Sequence, residues 1–136
     1  MLRVITGHIC AGKTTWVAEH ARADDLVIDH DAMALALSRP GTQHHLYPKA
    51  AGELAQAIRW ATIDAAFRVA RAASVDLWIV HAYPLPADVG MYTRLGAVTL
   101  HMTADDEALL QRARAERPER MQKTLAEKLE GSYAKS

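Results

Sequence analysis

The pattern GxxxxGK[ST] is met at every fixed position by residues 7–14, which read Gly7-His8-Ile9-Cys10-Ala11-Gly12-Lys13-Thr14. A short β-rich run, LRVIT at residues 2–6, precedes this stretch, and a run compatible with a helix begins at about Lys13. A strand, a glycine loop and a helix in this order are the context in which such a loop binds phosphate. The stretch therefore predicts a phosphate-binding loop.

The residue types of this loop indicate its chemistry. Gly7 and Gly12 allow the backbone to curl so that N–H groups point at phosphate oxygens, and the helix adds the positive end of its dipole. Lys13, which we expect to be exposed, reaches the β- and γ-phosphates of a nucleotide, and the Thr14 hydroxyl can ligate Mg²⁺. With Thr15, residues 7–15 form the predicted nucleotide-binding set.

Strand-like and helix-like runs alternate along the whole chain. The predicted strands are residues 2–6, 26–29, 75–82 and 97–102, and the last of the later helices is amphipathic over 118–129. Between them, residues 49–73 predict the longest helix, with Leu54, Ile58, Ala61 and Ala65 on its buried face. Thr103 is expected to cap the helix that begins ADDEALL. We predict one domain over residues 1–136, a three-layer α/β fold of the P-loop NTPase type with a short parallel sheet of about four strands.

Composition and charge limit the possible partners. Sixteen Lys and Arg balance sixteen Asp and Glu, so no general positive field holds a nucleic acid by its backbone. No apolar run approaches the roughly 20 residues that cross a bilayer. The single cysteine, Cys10, cannot form an internal disulfide, and no secretory signal is evident, so we expect no membrane partner and a cytoplasmic location. Lys13 and the helix N-terminus are expected to lower the pKa of the Cys10 thiol, unless that side chain points into the core.

The chain resembles the P-loop kinases of the nucleotide and polynucleotide kinase type, and is similar also to the phage-type hydroxymethyluracil DNA kinases. The resemblance is carried by GHICAGKTTW, by the acidic turn VIDHDAM, and by the arginine-rich QRARAERPER. It implies ATP and Mg²⁺ as cofactors, an Asp after the second strand as catalytic base, and a mobile lid of arginines at 111–120.

Two aspartates in the acidic turn are candidates for the base. Asp31 is favoured because the end of the second strand lies on the same edge of the sheet as the phosphate-binding loop. Alternatively, Asp31 only caps the following helix, predicted from about residue 32. Asp29 could hold Mg²⁺ through water or be the base itself.

The arginines near the C-terminus are the predicted lid. Arg112, Arg114 and Arg117 are assigned to stabilise negative charge on the transferring phosphate, and Arg112 also to contact the nucleotide. The alternative is a solvated helix face with salt links to neighbouring glutamates, and this is the interpretation favoured for Arg120.

The loop after the second helix is the predicted acceptor pocket, because acceptor specificity usually resides there in this architecture. Its candidate substrate-binding residues are Arg39, His44, His45 and Tyr47. The adjacent histidines are not assigned to zinc, since no Cys or acid spacing supports such a site. The third strand carries His81 where many P-loop enzymes have an acid near Mg²⁺.

These residues predict an ATP-dependent kinase that acts on a hydroxyl of a nucleotide, of a polynucleotide 5′ end, or of a hydroxymethylated base in DNA. The alternative is a P-loop ATPase or nucleotide-gated binding module without a phosphorylated acceptor. A GTPase ranks last, because no N/TKxD motif occurs in the chain.

Overall fold

A computed structural model describes residues 1–134, with side chains described through residue 130. The four strands within this range are β1 (Leu2–Thr6), β2 (Leu26–Asp29), β3 (Leu77–Val80) and β4 (Val98–His101). The helices are α1 (Lys13–His20), α2 (His30–Ala36), α3 (Lys49–Ala73), α4 (Pro86–Arg94), α5 (Asp106–Glu116) and α6 (Glu119–Ala134). No helix in the described range is long and apolar enough to cross a membrane.

The strands form one parallel sheet in the order β2-β3-β1-β4. Val4 pairs with Ile79 on one side and with Thr99 on the other, so β1 lies inside the sheet. Parallel neighbours require crossovers, and helices supply them. The prediction of an α/β fold with four parallel strands flanked by helices is confirmed, and the architecture is compatible with a P-loop fold.

Apolar side chains pack on both faces of the sheet. On one face, Leu77 and Ile79 of β3 contact a cluster that includes Ile63 of α3 and Tyr92 of α4. On the other face, Trp78 and Val80 join a cluster with Val17 of α1. Because successive side chains of a strand point to opposite faces, a strand covered on both sides is apolar throughout, as β3 is. Trp60 packs partly buried against the first of these clusters, and Trp16 against the second.

The buried face of α3 differs from the predicted one. Leu54 is 47% exposed, and Ala61 and Ala65 are exposed as well, whereas Ile63 and Ala55 are buried. The reason is that α3 serves two partners along its length. Its first half packs on α2 through small side chains, and its second half packs on the sheet, so no single stripe is buried from end to end.

Two helix caps also differ from prediction. Helix α2 begins at His30, and its N-cap is Asp29, whose side chain accepts a hydrogen bond from the Asp31 backbone N–H. Asp31 therefore lies in the first turn and is not the cap. Helix α5 is capped by Asp105, whose carboxylate accepts from the Ala108 N–H, and not by Thr103. A carboxylate at the N-cap also interacts favourably with the positive end of the helix dipole.

Helices α5 and α6 form a hairpin beside the phosphate-binding loop. Its core joins Leu109 and Ala113 of α5 to Leu125 and Leu129 of α6, and Ala11 of the loop belongs to the same cluster. The predicted lid is thus anchored on the loop through an apolar contact, and its arginines project from a packed unit.

Candidate active site at the carboxyl edge of the sheet

The loop between β1 and α1 has the backbone that its glycines allow. Gly7 and Gly12 have φ values of 134° and 90°, a region that L side chains rarely adopt. A Cβ on Gly7 would also lie 2.3 Å from the carbonyl oxygen of Met102, so no other residue fits there. The hydroxyl of Tyr83 accepts from the Ile9 N–H at 3.4 Å and lies 3.3 Å from Nδ1 of His8, which supports the loop from the end of β3.

Lys13 is buried, and the expectation that it is exposed is wrong. Its Nζ donates to the carbonyl oxygens of Gly7 at 2.7 Å and of His8 at 2.6 Å, so the side chain folds back across the loop. Burial lowers the pKa of Lys13 to about 8, and the carboxylate of Asp29 opposes that shift. The ammonium remains mostly protonated at neutral pH, within the loop that it was predicted to serve.

Cys10 has a thiol of higher pKa than predicted. Burial raises the pKa and outweighs the nearby cations Arg117 and Lys13. The side chain packs against the core of the α5–α6 hairpin, which is the alternative that the sequence left open. The residue adopts a left-handed φ of 67°, as the tight loop requires.

Asp29 and Asp31 have different partners although they are two residues apart. One carboxylate oxygen of Asp29 accepts from the Asp31 N–H at 3.0 Å, and the other accepts from the Thr14 hydroxyl at 2.8 Å. Asp31 accepts from the Tyr47 hydroxyl at 2.5 Å through Oδ1. Its Oδ2 lies 3.4 Å from Nδ1 of His45 without a hydrogen bond between them. Each oxygen of Asp29 thus accepts one hydrogen bond within the fold, whereas in Asp31 only Oδ1 does so among the described residues.

Thr14 and Asp29 are chemically suited to magnesium. A hydroxyl and a carboxylate side by side are hard oxygen donors, and Mg²⁺ usually takes one or two such protein groups together with phosphate oxygens and water. No cluster of three or more His, Cys, Asp or Glu side chains able to hold a metal occurs among the described residues. The donor chemistry of Thr14 and Asp29 suits the magnesium role predicted for them, and that role stays a prediction.

His81 is occupied by other contacts and is not available to a metal. Its Nε2 accepts from Arg59 at 2.8 Å, which leaves the ring proton on Nδ1 to be donated to the Tyr92 hydroxyl at 2.9 Å. Burial, and then the charge of Arg59, lower the pKa of His81 to about 4. The ring is neutral at pH 7, and its role is to orient Arg59.

Arg59 brings a cation to the same region from the middle of α3. Besides His81, it donates to Nδ1 of His30 at 3.4 Å. No carboxylate of the described residues lies within 4.0 Å of its guanidinium, although Asp88 lies 3.9 Å from the shared His81 ring. Two neutral imidazoles satisfy its hydrogen bonds without neutralising its charge.

The three arginines assigned to the lid lie in different surroundings. Arg117 lines the cavity, and its Nε is buried without a partner, while Nη1 lies 3.6 Å from Glu116. Arg112 donates to the Cys10 carbonyl at 3.1 Å from an exposed position. Arg114 instead lines a groove on the outer side of the α5–α6 hairpin and takes no part in the cavity. Of these three arginines, Arg117, at the turn between the two helices, is the one that lines the cavity.

These groups share one cavity of about 960 Å³, the largest described in the chain, and a size typical of ligand sites. The predicted residues that line it are Ile9, Cys10, Gly12, Lys13, Thr14, Thr15, Asp29, Asp31, His44, His45, Tyr47 and Arg117. Arg39, which was predicted to bind the acceptor, is exposed and does not line it. Gly7, His8 and Ala11 form the frame of the loop behind the cavity.

Three contributors to the site were not predicted from sequence. Arg59 lies in a long helix with no motif around it, and Tyr83 lies in a proline turn. Arg120, interpreted as a solvated residue, instead donates to the carbonyls of Tyr47 and His45 and lines the cavity. No local pattern distinguishes these residues from surface charges, since only the folded chain brings them to the site.

Comparisons with protein-family models and with curated sequences find no relative of this chain. Functional inference therefore rests on the geometry of the cavity.

Proposed function

We propose that this protein is an ATP-dependent kinase of the P-loop class, in which Asp31 accepts a proton from the attacking hydroxyl. The observation that carries the proposal is the contrast between the two aspartates in one cavity. Both oxygens of Asp29 accept hydrogen bonds, from Thr14 and from the backbone of the helix cap. Oδ2 of Asp31 has no hydrogen bond within the described residues and lies 3.4 Å from Nδ1 of His45. A general base needs such an oxygen within reach of the substrate proton.

The loop residues 7–15 would hold the phosphates of ATP. The N-terminus of α1 favours phosphate oxygens, and the ammonium of Lys13 would exchange its carbonyl contacts for the β- and γ-phosphates. Thr14, backed by Asp29, would hold Mg²⁺, which neutralises phosphate charge when bound. Arg117 supplies a guanidinium whose buried Nε has no partner in the protein.

Transfer then follows from the order of these groups. The acceptor hydroxyl gives its proton to Asp31 as its oxygen forms a bond to the γ-phosphorus, and the bond from that phosphorus to the β,γ-bridging oxygen breaks to release ADP. Negative charge spreads over the equatorial oxygens, so Lys13 and Arg117 contribute by stabilising it. The hairpin that carries Arg117 also excludes water from the reacting atoms.

The acceptor half of the cavity favours a hydroxyl compound that carries an anionic group. The guanidinium of Arg59 is held in place by His81 and His30 and has no carboxylate within 4.0 Å, which leaves it able to pair with a phosphate. The acceptor classes proposed from sequence all carry one: a nucleotide, a polynucleotide 5′ end, or a hydroxymethylated base in DNA.

The test is transfer of label from γ-labelled ATP. The protein is incubated with Mg²⁺ and a panel of nucleosides, nucleotides, 5′-hydroxyl oligonucleotides and hydroxymethylated DNA, with Asp31→Asn as the matched control. We expect label on at least one acceptor with the wild type, and a loss of transfer with the variant. Release of ADP at one constant rate, whatever acceptor is added, would favour an ATPase or nucleotide-gated module instead.

A further inference from the structure

Tyr47 forms a direct hydrogen bond to Asp31, the candidate base. Its side chain is 5% exposed, and its hydroxyl donates to Oδ1 of Asp31 at 2.5 Å. Burial, together with Asp31, raises the pKa of Tyr47 well above its usual value, so the phenol keeps its proton and acts as a donor. One oxygen of Asp31 is thereby held, and the other lies 3.4 Å from Nδ1 of His45, in a residue that lines the cavity.

Tyr47 is itself held from α6. The guanidinium of Arg120 lies 4.7 Å from the centre of the Tyr47 ring, and its Nη2 donates to the carbonyls of Tyr47 at 3.2 Å and of His45 at 3.4 Å. A charge over the ring and bonds to the backbone fix both the side chain and the loop that carries it. Met121, the next residue of α6, packs against the same cluster as Tyr47.

Gly52 of α3 leaves room for the Tyr47 ring. A Cβ on Gly52 would lie 3.2 Å from Cε2 of Tyr47, closer than ordinary van der Waals contact. Glycine inside a helix costs roughly 0.5 to 1 kcal/mol relative to alanine. Its presence in the first turn of α3 is accounted for by the space that the Tyr47 ring occupies.

We propose that Tyr47 is a positioning residue for Asp31 and that Arg120 is the group that holds Tyr47 in place. The lid hairpin and the candidate base are then linked through Arg120, the Tyr47 backbone and ring, and the Tyr47 hydroxyl. The inference rests on the proposed function, because it gives Asp31 a role in transfer. It adds that α6 acts on the base through this path, in addition to covering the phosphates through Arg117.

The experiment is a double-mutant cycle on the full chain. Formation of ADP from MgATP is measured with water as the acceptor, and kcat and KM are separated for Tyr47→Phe, Arg120→Gln and the double variant. Tyr47→Phe keeps the ring and removes the hydroxyl bond to a charged group, so kcat should fall roughly tenfold with KM for ATP unchanged. Arg120→Gln should lower kcat by a similar factor, and the double variant should be no slower than the slower single variant, because both act on one path.

Two controls separate this inference from the proposed function. Lys123→Gln, an exposed change on the same helix, should leave kcat unchanged, and Arg120→Lys should not restore it, because an ammonium lacks the planar fork. If Asp31→Asn keeps the wild-type rate of label transfer to the hydroxyl acceptors of the panel, the proposed function fails. If Asp31→Asn is slow while Tyr47→Phe keeps the wild-type kcat, or while the two single effects multiply in the double variant, the positioning path is overturned and the proposed function stands.

A readout independent of turnover tests the contact to the loop. Hydrogen exchange of the amides in residues 39–48 should quicken severalfold in Arg120→Gln and stay at the wild-type rate in Lys123→Gln, since Arg120 bonds two carbonyls of that loop. Equal exchange in both variants would contradict the role given to Arg120.

Discussion

The two halves of the cavity are built in different ways. The half that would receive the nucleotide comes from one unbroken stretch, residues 7–15. The other half is assembled from Asp31 of α2, Tyr47 of a loop, Arg59 of α3, His81 after β3 and Arg120 of α6. The first half tolerates little change at any position, while each residue of the second half has a separable task.

The contrast follows from what each half would bind. A phosphate group is the same in every nucleotide, and backbone N–H groups at a helix N-terminus recognise it without side-chain variety. An acceptor is recognised by its shape and its charges, which requires side chains from several directions. Variants in the contiguous half should therefore lose all transfer, and variants in the assembled half should lose one property each.

The largest effect is expected at Lys13. Lys13→Met should lower transfer by more than the roughly 10² to 10³ that a single neutral donor contributes, because the lost group is charged. The melting temperature should fall as well, since Lys13 also bonds the carbonyls of Gly7 and His8. Initial rates and thermal melting, with and without MgATP, measure both effects. A variant with wild-type rates would remove the phosphate-binding role of the loop.

The next effect concerns the two aspartates at the boundary between the halves. Asp31→Asn should reduce transfer by roughly 10² to 10⁴ with little change in ATP affinity, because a base is lost and the phosphate contacts are kept. Asp29→Asn keeps the helix cap, since Asn caps as well as Asp, and should instead raise the Mg²⁺ concentration needed for half-maximal rate by about tenfold. Rates measured across a magnesium titration distinguish the two, and a reversed pattern would move the base to Asp29.

The third effect is on stability and tests the assembled half alone. His81 has a pKa of about 4 in the fold against an ordinary 6.5, so between these values the unfolded chain binds a proton that the folded chain does not. Stability is therefore full above pH 6.5 and falls as the pH drops toward 4, by on the order of 3 kcal/mol. Arg59, Asp88, Tyr92 and His30 are the charged or titratable groups around the ring.

Denaturant unfolding at pH 7 and at pH 4.5 checks this prediction. The slope of stability with pH should flatten in His81→Gln and remain in His20→Gln, a change at an exposed histidine of α1. An unchanged slope in His81→Gln would show that its neighbours do not hold the ring neutral.

The smallest effect is expected at Arg59. Arg59→Gln should raise KM for a phosphate-bearing acceptor roughly tenfold, because a charge-assisted pair is lost, and should leave KM for ATP unchanged. Steady-state kinetics with each substrate varied in turn give both values. Equal changes in the two KM values would place Arg59 in both halves of the cavity and end the distinction between them.

Some features of the chain could be read from local chemistry. The backbone of the loop at residues 7–14 depends on glycines at fixed positions, and parallel β-structure shows as apolar runs such as that of β3. The positive φ angles of Gly7 and Gly12 and the parallel sheet agree with both patterns, while phosphate binding stays a prediction. The buried face of α3 was predicted wrongly, because its periodicity does not reveal that the helix changes partner from α2 to the sheet along its length. The burial of Lys13 and the capping of α2 by Asp29 were missed for a similar reason. Each depends on hydrogen bonds shorter than 3.1 Å to groups nearby in the same loop or turn.

Only the tertiary structure decided which side chains contact each other at the site. Asp29 and Asp31 are the same residue type, and only the positions of Thr14 and Tyr47 show that Asp29 is bonded through both oxygens and Asp31 through Oδ1. The sequence carries no signal for the contacts of Arg59 and Arg120, since a charged residue on a helix is expected to be solvated. Only the folded chain shows that another element packs against it. Residues adjacent in the chain share a backbone geometry that composition dictates, whereas residues far apart meet only through the packing of the elements that carry them.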